Sequence, residues 1–226
     1  RLLGPGHIVD GGTVGPLVGA AWADGAPVAF DGSVAYLFDP TAARWSALPV
    51  GTFGAPYQNV AALGTFTGNL YLLQPQNGQI LRFLNGAYAN LPEDWTGGQA
   101  ADQLRTAVDF EIDGRIHVLL ADGTVLTFYR GALEATVTPQ VEPPVTDAVA
   151  LSQQPDRPYR YVGTRSGRIL RLRTDGTLVQ QFVSGSGVPS LDGLRDLAVD
   201  DVQGLAYVLT DRGLFLVRLP APPAGS

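Results

Sequence analysis

Five glycines recur along the chain at near-constant spacing: Gly32, Gly78, Gly123, Gly167 and Gly213, at intervals of 46, 45, 44 and 46 residues. All but Gly32 sit between two short runs of alternating apolar residues, such as Arg115–Leu120 and Thr124–Phe128. Alternation with period two marks a strand, and a glycine between two strands marks a hairpin turn. A hairpin repeated about every 45 residues, with several short strands per repeat, predicts one propeller blade per repeat. The expected fold is all-β: a β-propeller of five four-stranded blades.

The repeats run over about residues 18–50, 59–92, 105–139, 147–183 and 195–219. In the third, strands are expected over Thr106–Ile112, Arg115–Ala121, Thr124–Arg130 and Leu133–Pro139, turned by Asp113-Gly114 and Asp122-Gly123. Asn77-Gly78 and Asp122-Gly123 predict type I′ turns with positive φ at the glycine. In the second repeat the fourth strand is expected to end near Leu91. The last repeat stops after three strands, because Pro220, Pro222 and Pro223 cannot donate to a ladder. Residues Leu2–Val9 have no repeat of their own. They are expected to supply the missing strand of the last blade and so close the ring without open edges. The alternative is a larger propeller cut short at its front. Residues 1–219 then form one domain, and 220–226 a Pro/Ala tail of linker type. Gly98–Thr106 is the one segment with room for a turn or two of helix.

Composition narrows the function classes. The net charge of −6 does not suggest a nonspecific nucleic-acid or anionic-membrane partner. Without Cys there are no disulfides, thiolate metal sites or Cys nucleophiles. All fifteen basic residues are Arg. No apolar run approaches the roughly 18 residues of a spanning helix. A monomer is expected. The first residue is Arg rather than Met, and the expectation is a piece of a longer chain whose signal or anchor lies elsewhere.

The blade pattern resembles the NHL and related bacterial repeat propellers. The resemblance is carried by Asp196-Leu-Ala-Val-Asp200 before Gly204-Leu-Ala-Tyr-Val-Leu209, by Asp109-Phe-Glu-Ile-Asp113 before Gly114-Arg-Ile-His-Val-Leu119, and by Gly163–Leu172. It covers most of residues 18–219. Such propellers serve as sensors, scaffolds, binding modules and occasional enzymes, so the resemblance implies architecture more than chemistry. It also implies an extracytoplasmic location in a membrane-anchored or secreted parent protein.

Three groups of residues are candidates for a site. The innermost strands of repeats two to five open with Asn59, Asp109, Asp147 and Asp196, expected to ring one mouth of the central channel. Hard oxygen ligands converging there would suit Ca²⁺ or Mg²⁺ or a polar ligand; no other cofactor is expected. Alternatively each carboxylate accepts backbone N–H bonds and ties blades together. The long linkers 49–58, 92–103, 139–146 and 184–195 should crowd the same face as the glycine turns, which makes that face the expected contact surface for a protein or polar ligand. Tyr57 and Trp95, with Phe53, offer aromatic area there, or fold back as lids. The fourth repeat holds Arg160, Arg165, Arg168, Arg171 and Arg173, either a basic dock for an acidic partner or a solvated face. Catalytic motifs are absent. A glycosidase or other hydrolase or lyase would need two carboxylates across a cleft, and Asp109 with Asp196 is the pair to consider. The leading expectation is a non-enzymatic binding or sensing module. His117 is expected to be a partly buried core residue.

Overall fold

The computed structural model describes residues 2–23, 25–185 and 190–223. A short N-terminal hairpin is followed by five successive antiparallel sheets, the blades of a five-bladed β-propeller. Among the described residues, helix is confined to one turn, α1 (Ala101–Leu104), and a 3-10 turn at Pro75–Asn77. The chain packs as two compact units: residues 1–105 with 130–132, and residues 106–129 with 133–226.

The first unit holds the hairpin β1 (Ile8–Val9) and β2 (Gly12–Thr13) and two blades. Blade 1 is β3 (Gly19–Ala23), β4 (Ala26–Phe30), β5 (Val34–Asp39) and β6 (Arg44–Pro49), in that order. Blade 2 is β7 (Ala62–Phe66), β8 (Asn69–Gln74), β9 (Gln79–Phe83) and β10 (Glu93–Asp94). Its fourth strand lies not before Leu91 but inside the expected linker, because Pro92 follows a loop of turns that leaves β9 uncovered until Glu93. The seam between the two blades is apolar, built from Val28, Phe30, Leu70, Leu72, Leu81 and Phe83.

The N-terminal segment departs from expectation. Ile8 and Val9 pair with Thr13 and Gly12, not with the last blade. Asp10 and Gly11, both at positive φ (47° and 83°), form the two-residue turn, the type I′ geometry that Asp-Gly favours. Val9 and Val14 then bury against Ala29 and Tyr36 of blade 1, and the Asp10 carboxylate accepts the Ala47 amide at 2.8 Å. A hairpin closed within six residues gives up far less chain entropy than a strand paired some two hundred residues away.

The second unit holds blade 3, β11 (Ala107–Ile112), β12 (Ile116–Leu120), β13 (Val125–Tyr129) and β14 (Ala132–Val137), apart from the start of β14. Blade 4 is β15 (Ala148–Gln153), β16 (Tyr159–Thr164), β17 (Ile169–Arg173) and β18 (Leu178–Phe182). Blade 5 is β19 (Leu194–Asp200), β20 (Leu205–Thr210) and β21 (Gly213–Arg218), three-stranded as the prolines require. The chain after β21 turns toward blade 4: Arg171 Nη1 donates to the Pro220 carbonyl at 2.9 Å and Gln180 Nε2 to that of Ala221 at 3.3 Å. The innermost strands β11, β15 and β19 lie side by side.

The periodic glycines do two things. Gly78 and Gly123 have positive φ, 63° and 84°. The turns are not type I′, since neither Asn77 nor Asp122 has positive φ. Gly78 ends the 3-10 turn, and Gly123 closes a three-residue loop in which its N–H meets the Leu120 carbonyl at 2.9 Å. The second role is close approach. A Cβ at Gly32 would lie 2.5 Å from the Tyr57 carbonyl oxygen, one at Gly78 2.3 Å from that of Ala101, and one at Gly167 2.7 Å from the Leu191 carbonyl carbon. Each contact comes from the linker that follows, so the linkers lie across the glycine turns.

Candidate functional site

Asp109-Phe-Glu-Ile-Asp113 alternates acid and apolar residues, and the pleat sends all three acids to one face of β11. Phe110 faces the core. The acids meet β15. Asp109 Oδ1 accepts its neighbour Phe110 N–H at 2.8 Å, and Oδ2 accepts the Leu151 N–H at 2.7 Å. The Glu111 carboxylate accepts the Gln153 N–H. No ladder joins β11 to β15, so side-chain oxygens satisfy the amides that point across the gap. One blade on, Ser152 Oγ accepts the Val199 N–H at 2.9 Å. Ser152 occupies the register position of Glu111, each lying opposite the equivalent residue of the second strand, Tyr161 and His117.

These carboxyls are hard to ionise. Burial pushes Asp109 up to about 7, the nearby Asp196 charge adds to the rise, and the Leu151 and Phe110 amides oppose it. Burial pushes Glu111 up to about 8, helped by Asp109, Asp196 and Asp113. Behind them lies a second polar layer. His117 Nδ1 and Thr127 Oγ1 are 3.1 Å apart, and His117 Nε2 is 3.1 Å from Asp113 Oδ1. Burial holds the imidazole below its ordinary value against the pull of Asp113. Gln153 Nε2 donates to Asp113 Oδ2 at 3.4 Å. Arg160, 3% exposed, faces this layer with Nε and Nη1 unbonded, as is Gln153 Oε1. Sequence reasoning missed Glu111, Asp113 and Gln153 as site residues, although three acids at alternate positions of one strand are visible; Arg160 it placed in a basic surface patch rather than in this layer.

The expected ring is differently composed. A bulge in β11, β15 and β19, at Ala107/Asp109, Ala148/Ala150 and Leu194/Asp196, aligns Asp109 with Ala150 and Asp196. Asp147 lies before β15 and its Oδ2 accepts the Ser166 N–H of a hairpin turn at 2.7 Å. Asp196 is exposed and its Oδ1 accepts the Leu197 N–H at 2.8 Å. Asn59 belongs to the first unit, exposed, at a φ of 56°. Among the described residues no group of three or more His, Asp or Glu is arranged to hold a metal ion.

Tyr57 is a lid. Its ring packs between Phe30 and Phe83, its hydroxyl donates to the Gly51 carbonyl at 2.9 Å, and burial raises it to about 12. Trp95 is half-buried, edge-on to Tyr71 with centroids 5.9 Å apart. Phe53 stays 65% exposed. The arginines of blade 4 do not form one stripe. Arg171 is buried, donating from Nε to Tyr161 Oη at 2.8 Å and stacking over Tyr159, Tyr161 and Phe182. Arg160 is buried as described. Arg165 pairs with Asp211 at 3.5 Å, Arg168 reaches the Pro143 carbonyl and Gln181 at 2.9 Å each, and Arg173 is exposed. The expected stripe fails because strand alternation sends Arg171 into the seam, where aromatic faces take its charge. Part of the fourth linker, residues 186–189, lies outside the described residues.

No family model matches the chain, and no curated protein matches it. Solved structures do. The computationally designed Ika8 protein matches with a TM-score of 0.57 at 16% identity, covering 94% of this chain and 60% of that one. PorZ, an essential bacterial surface component of the type-IX secretion system of Porphyromonas gingivalis, matches with a TM-score of 0.54 at 14% identity, covering 93% of this chain and 26% of that one. The chain therefore spans less than two thirds of either protein. At these identities the likeness is one of fold, and it agrees with the sheet order: the chain is a β-propeller.

Proposed function

We propose that this propeller is a non-enzymatic binding module of the NHL-like kind, the ligand- or protein-binding part of a larger extracytoplasmic bacterial protein. One observation carries the reading. Asp109, Asp147 and Asp196, the carboxylates best placed for chemistry, each accept backbone amides, and Asp109 uses both oxygens to do so. A nucleophile or general acid needs an oxygen directed at substrate. The raised pKa of Asp109 and Glu111 is what a hydrolase acid would have. Here it follows from placing carboxyls between two strands that need acceptors. The linkers laid across the glycine turns, with Phe53 and Leu91 exposed, supply adaptable contact area on a rigid frame. The surface role of PorZ, a protein of the same fold, is in keeping with an extracytoplasmic setting.

The test is titration of the protein with defined probes, namely Ca²⁺, Mg²⁺, neutral and acidic oligosaccharides and short acidic peptides, followed by calorimetry and product analysis. Binding without turnover, weakened by Phe53→Ser, is expected. Hydrolysis or elimination of any oligosaccharide that Glu111→Gln abolishes in a folded protein would overturn the reading.

A further inference from the structure

Each seam within a unit carries two cross-strand pairs at the same register, one from either blade. Between blades 3 and 4 they are His117 with Thr127 and Gln153 with Arg160. Between blades 4 and 5 they are Tyr161 with Arg171 and Val199 with Ala206. Between blades 1 and 2 they are Val28 with Leu37 and Thr65 with Leu70. The first set fills its seam with the polar layer around Asp113. The second fills it with the Arg171 guanidinium and the rings stacked on it. The third has neither a ring nor a guanidinium at any of its four places, and there the seam opens into a cleft of about 500 Å³. All of its lining residues belong to the first unit.

The cleft has fixed walls. The buried Val28, Ala35 and Leu70 line its depth, and the exposed Leu48, Asn85 and Ala89 its mouth. Because β10 begins only at Glu93, one wall is the loop after β9 rather than a fourth strand. That loop is tied down at three points. The Tyr88 carbonyl accepts the Gly51 N–H at 2.8 Å, the Tyr88 hydroxyl donates to the Gly68 carbonyl at 2.5 Å, and the Asn85 N–H donates to Asn69 Oδ1 at 3.0 Å. The volume falls within the roughly 300–1,000 Å³ of small-molecule sites. Water is a poor occupant, since it needs two to four polar partners. Thr65 Oγ1 already donates to the Trp22 carbonyl at 3.4 Å, and the Tyr88 hydroxyl is committed to Gly68. The Asn85 carboxamide, at the mouth, makes no hydrogen bond among the described residues.

We propose that this cleft is a binding site for a flat, compact, largely apolar small molecule that carries one hydrogen-bonding group. The molecule lies between the two sheets, whose facing surfaces make a slot suited to a ring, and its polar group meets the Asn85 carboxamide at the mouth. An apolar ligand gains most where a preformed site is poorly hydrated.

Indole is the probe, with indene, the same ring system without the N–H, as its comparison. Titration calorimetry of the 226-residue chain should give one indole per chain, with a dissociation constant on the order of 0.1–1 mM. Methyl NMR shifts should be confined to Val28, Leu37, Leu48 and Leu70. Indene should bind several-fold more weakly, and Asn85→Ala should bring indole down to the affinity of indene. Leu37→Phe, which grows a ring into the cleft, should abolish binding at an unchanged or raised melting temperature. Leu48→Trp blocks the mouth from a position already 38% exposed, so it tests the same point if the first variant does not fold. The absence of binding up to about 5 mM indole overturns the proposal. So do shifts centred on Ile169 and Leu191 of the second unit, wild-type affinity in the blocked variants, or equal affinities for indole and indene.

Discussion

Replacing Glu111 by glutamine should stabilise the protein at neutral and alkaline pH and change little in acid. The folded Glu111 carboxyl sits at about 8 against 4.5 for the free group, held there by burial and by Asp109, Asp196 and Asp113. Because the folded value is the higher one, the native state keeps a proton that the unfolded chain releases. Its contribution is complete below about pH 4.5 and is lost as pH rises to about 8, with the Asp109 carboxyl, at about 7, losing its own over an overlapping range. At about 1.36 kcal/mol per pKa unit, the Glu111 rise corresponds to an upper bound of roughly 4–5 kcal/mol above pH 8. Glutamine keeps an oxygen for the Gln153 amide and turns its NH₂ toward the carboxylates, but its burial is not free. A net gain of about 1–3 kcal/mol is expected, or roughly 2–10 °C in melting temperature for a chain of this size. The assay is thermal and urea denaturation of both proteins at intervals from pH 4 to 9. The reasoning is refuted if the variant is no more stable than wild type at pH 9, or if the difference between them does not grow from pH 5 to 8.

Asp109→Asn should destabilise the protein at pH 6 and below, where Glu111→Gln has its smallest effect, since one of two amides must face an NH₂ group; a loss of about 1–3 kcal/mol by urea denaturation is expected. Gly78→Ala should cost on the order of 2–4 kcal/mol, from positive φ combined with backbone overlap at Ala101. Gly213→Ala, where no linker follows and nothing lies within 4 Å, should cost about 1 kcal/mol; equal losses at the two glycines would show that the linker contact is immaterial. Deleting residues 2–14 should uncover Ala29 and Tyr36 and lower the melting temperature while blade 5 keeps its hydrogen-exchange protection; loss of protection in β21 instead would restore the N-terminal strand to the last blade. Tyr57→Phe should lose about 1 kcal/mol for the Gly51 hydrogen bond, measured by the same denaturation.

Much of the architecture was legible because it rests on local rules. Alternation in Ile116–Leu120 and Val125–Tyr129, and the glycines between such pairs, depend on residues a few positions apart. So does the missing fourth strand of blade 5, where proline removes the donor. The errors fell where two segments compete for one partner. The Asp10-Gly11 turn is as strong a hairpin signal as Asp122-Gly123, and this local turn, rather than the global demand for ring closure, takes Ile8–Val9. The candidate site was half legible. Asp109 stands at the position that meets the next strand, whereas Asp147 lies ahead of β15, three residues before Ala150, the counterpart of Asp109.

Composition and period therefore determined by themselves the fold class, the number of repeats, the places of the turns and the absence of thiol chemistry. Only the tertiary structure decided what each polar side chain does. Whether Asp109 binds an ion or two amides depends on the gap between β11 and β15. Whether Arg171 is a dock or a core residue depends on the three aromatic rings that close around it. The pattern within a strand says which face a side chain takes; what lies opposite that face is set by a segment forty or more residues away, and it is this partner that fixes burial, charge state and availability for binding.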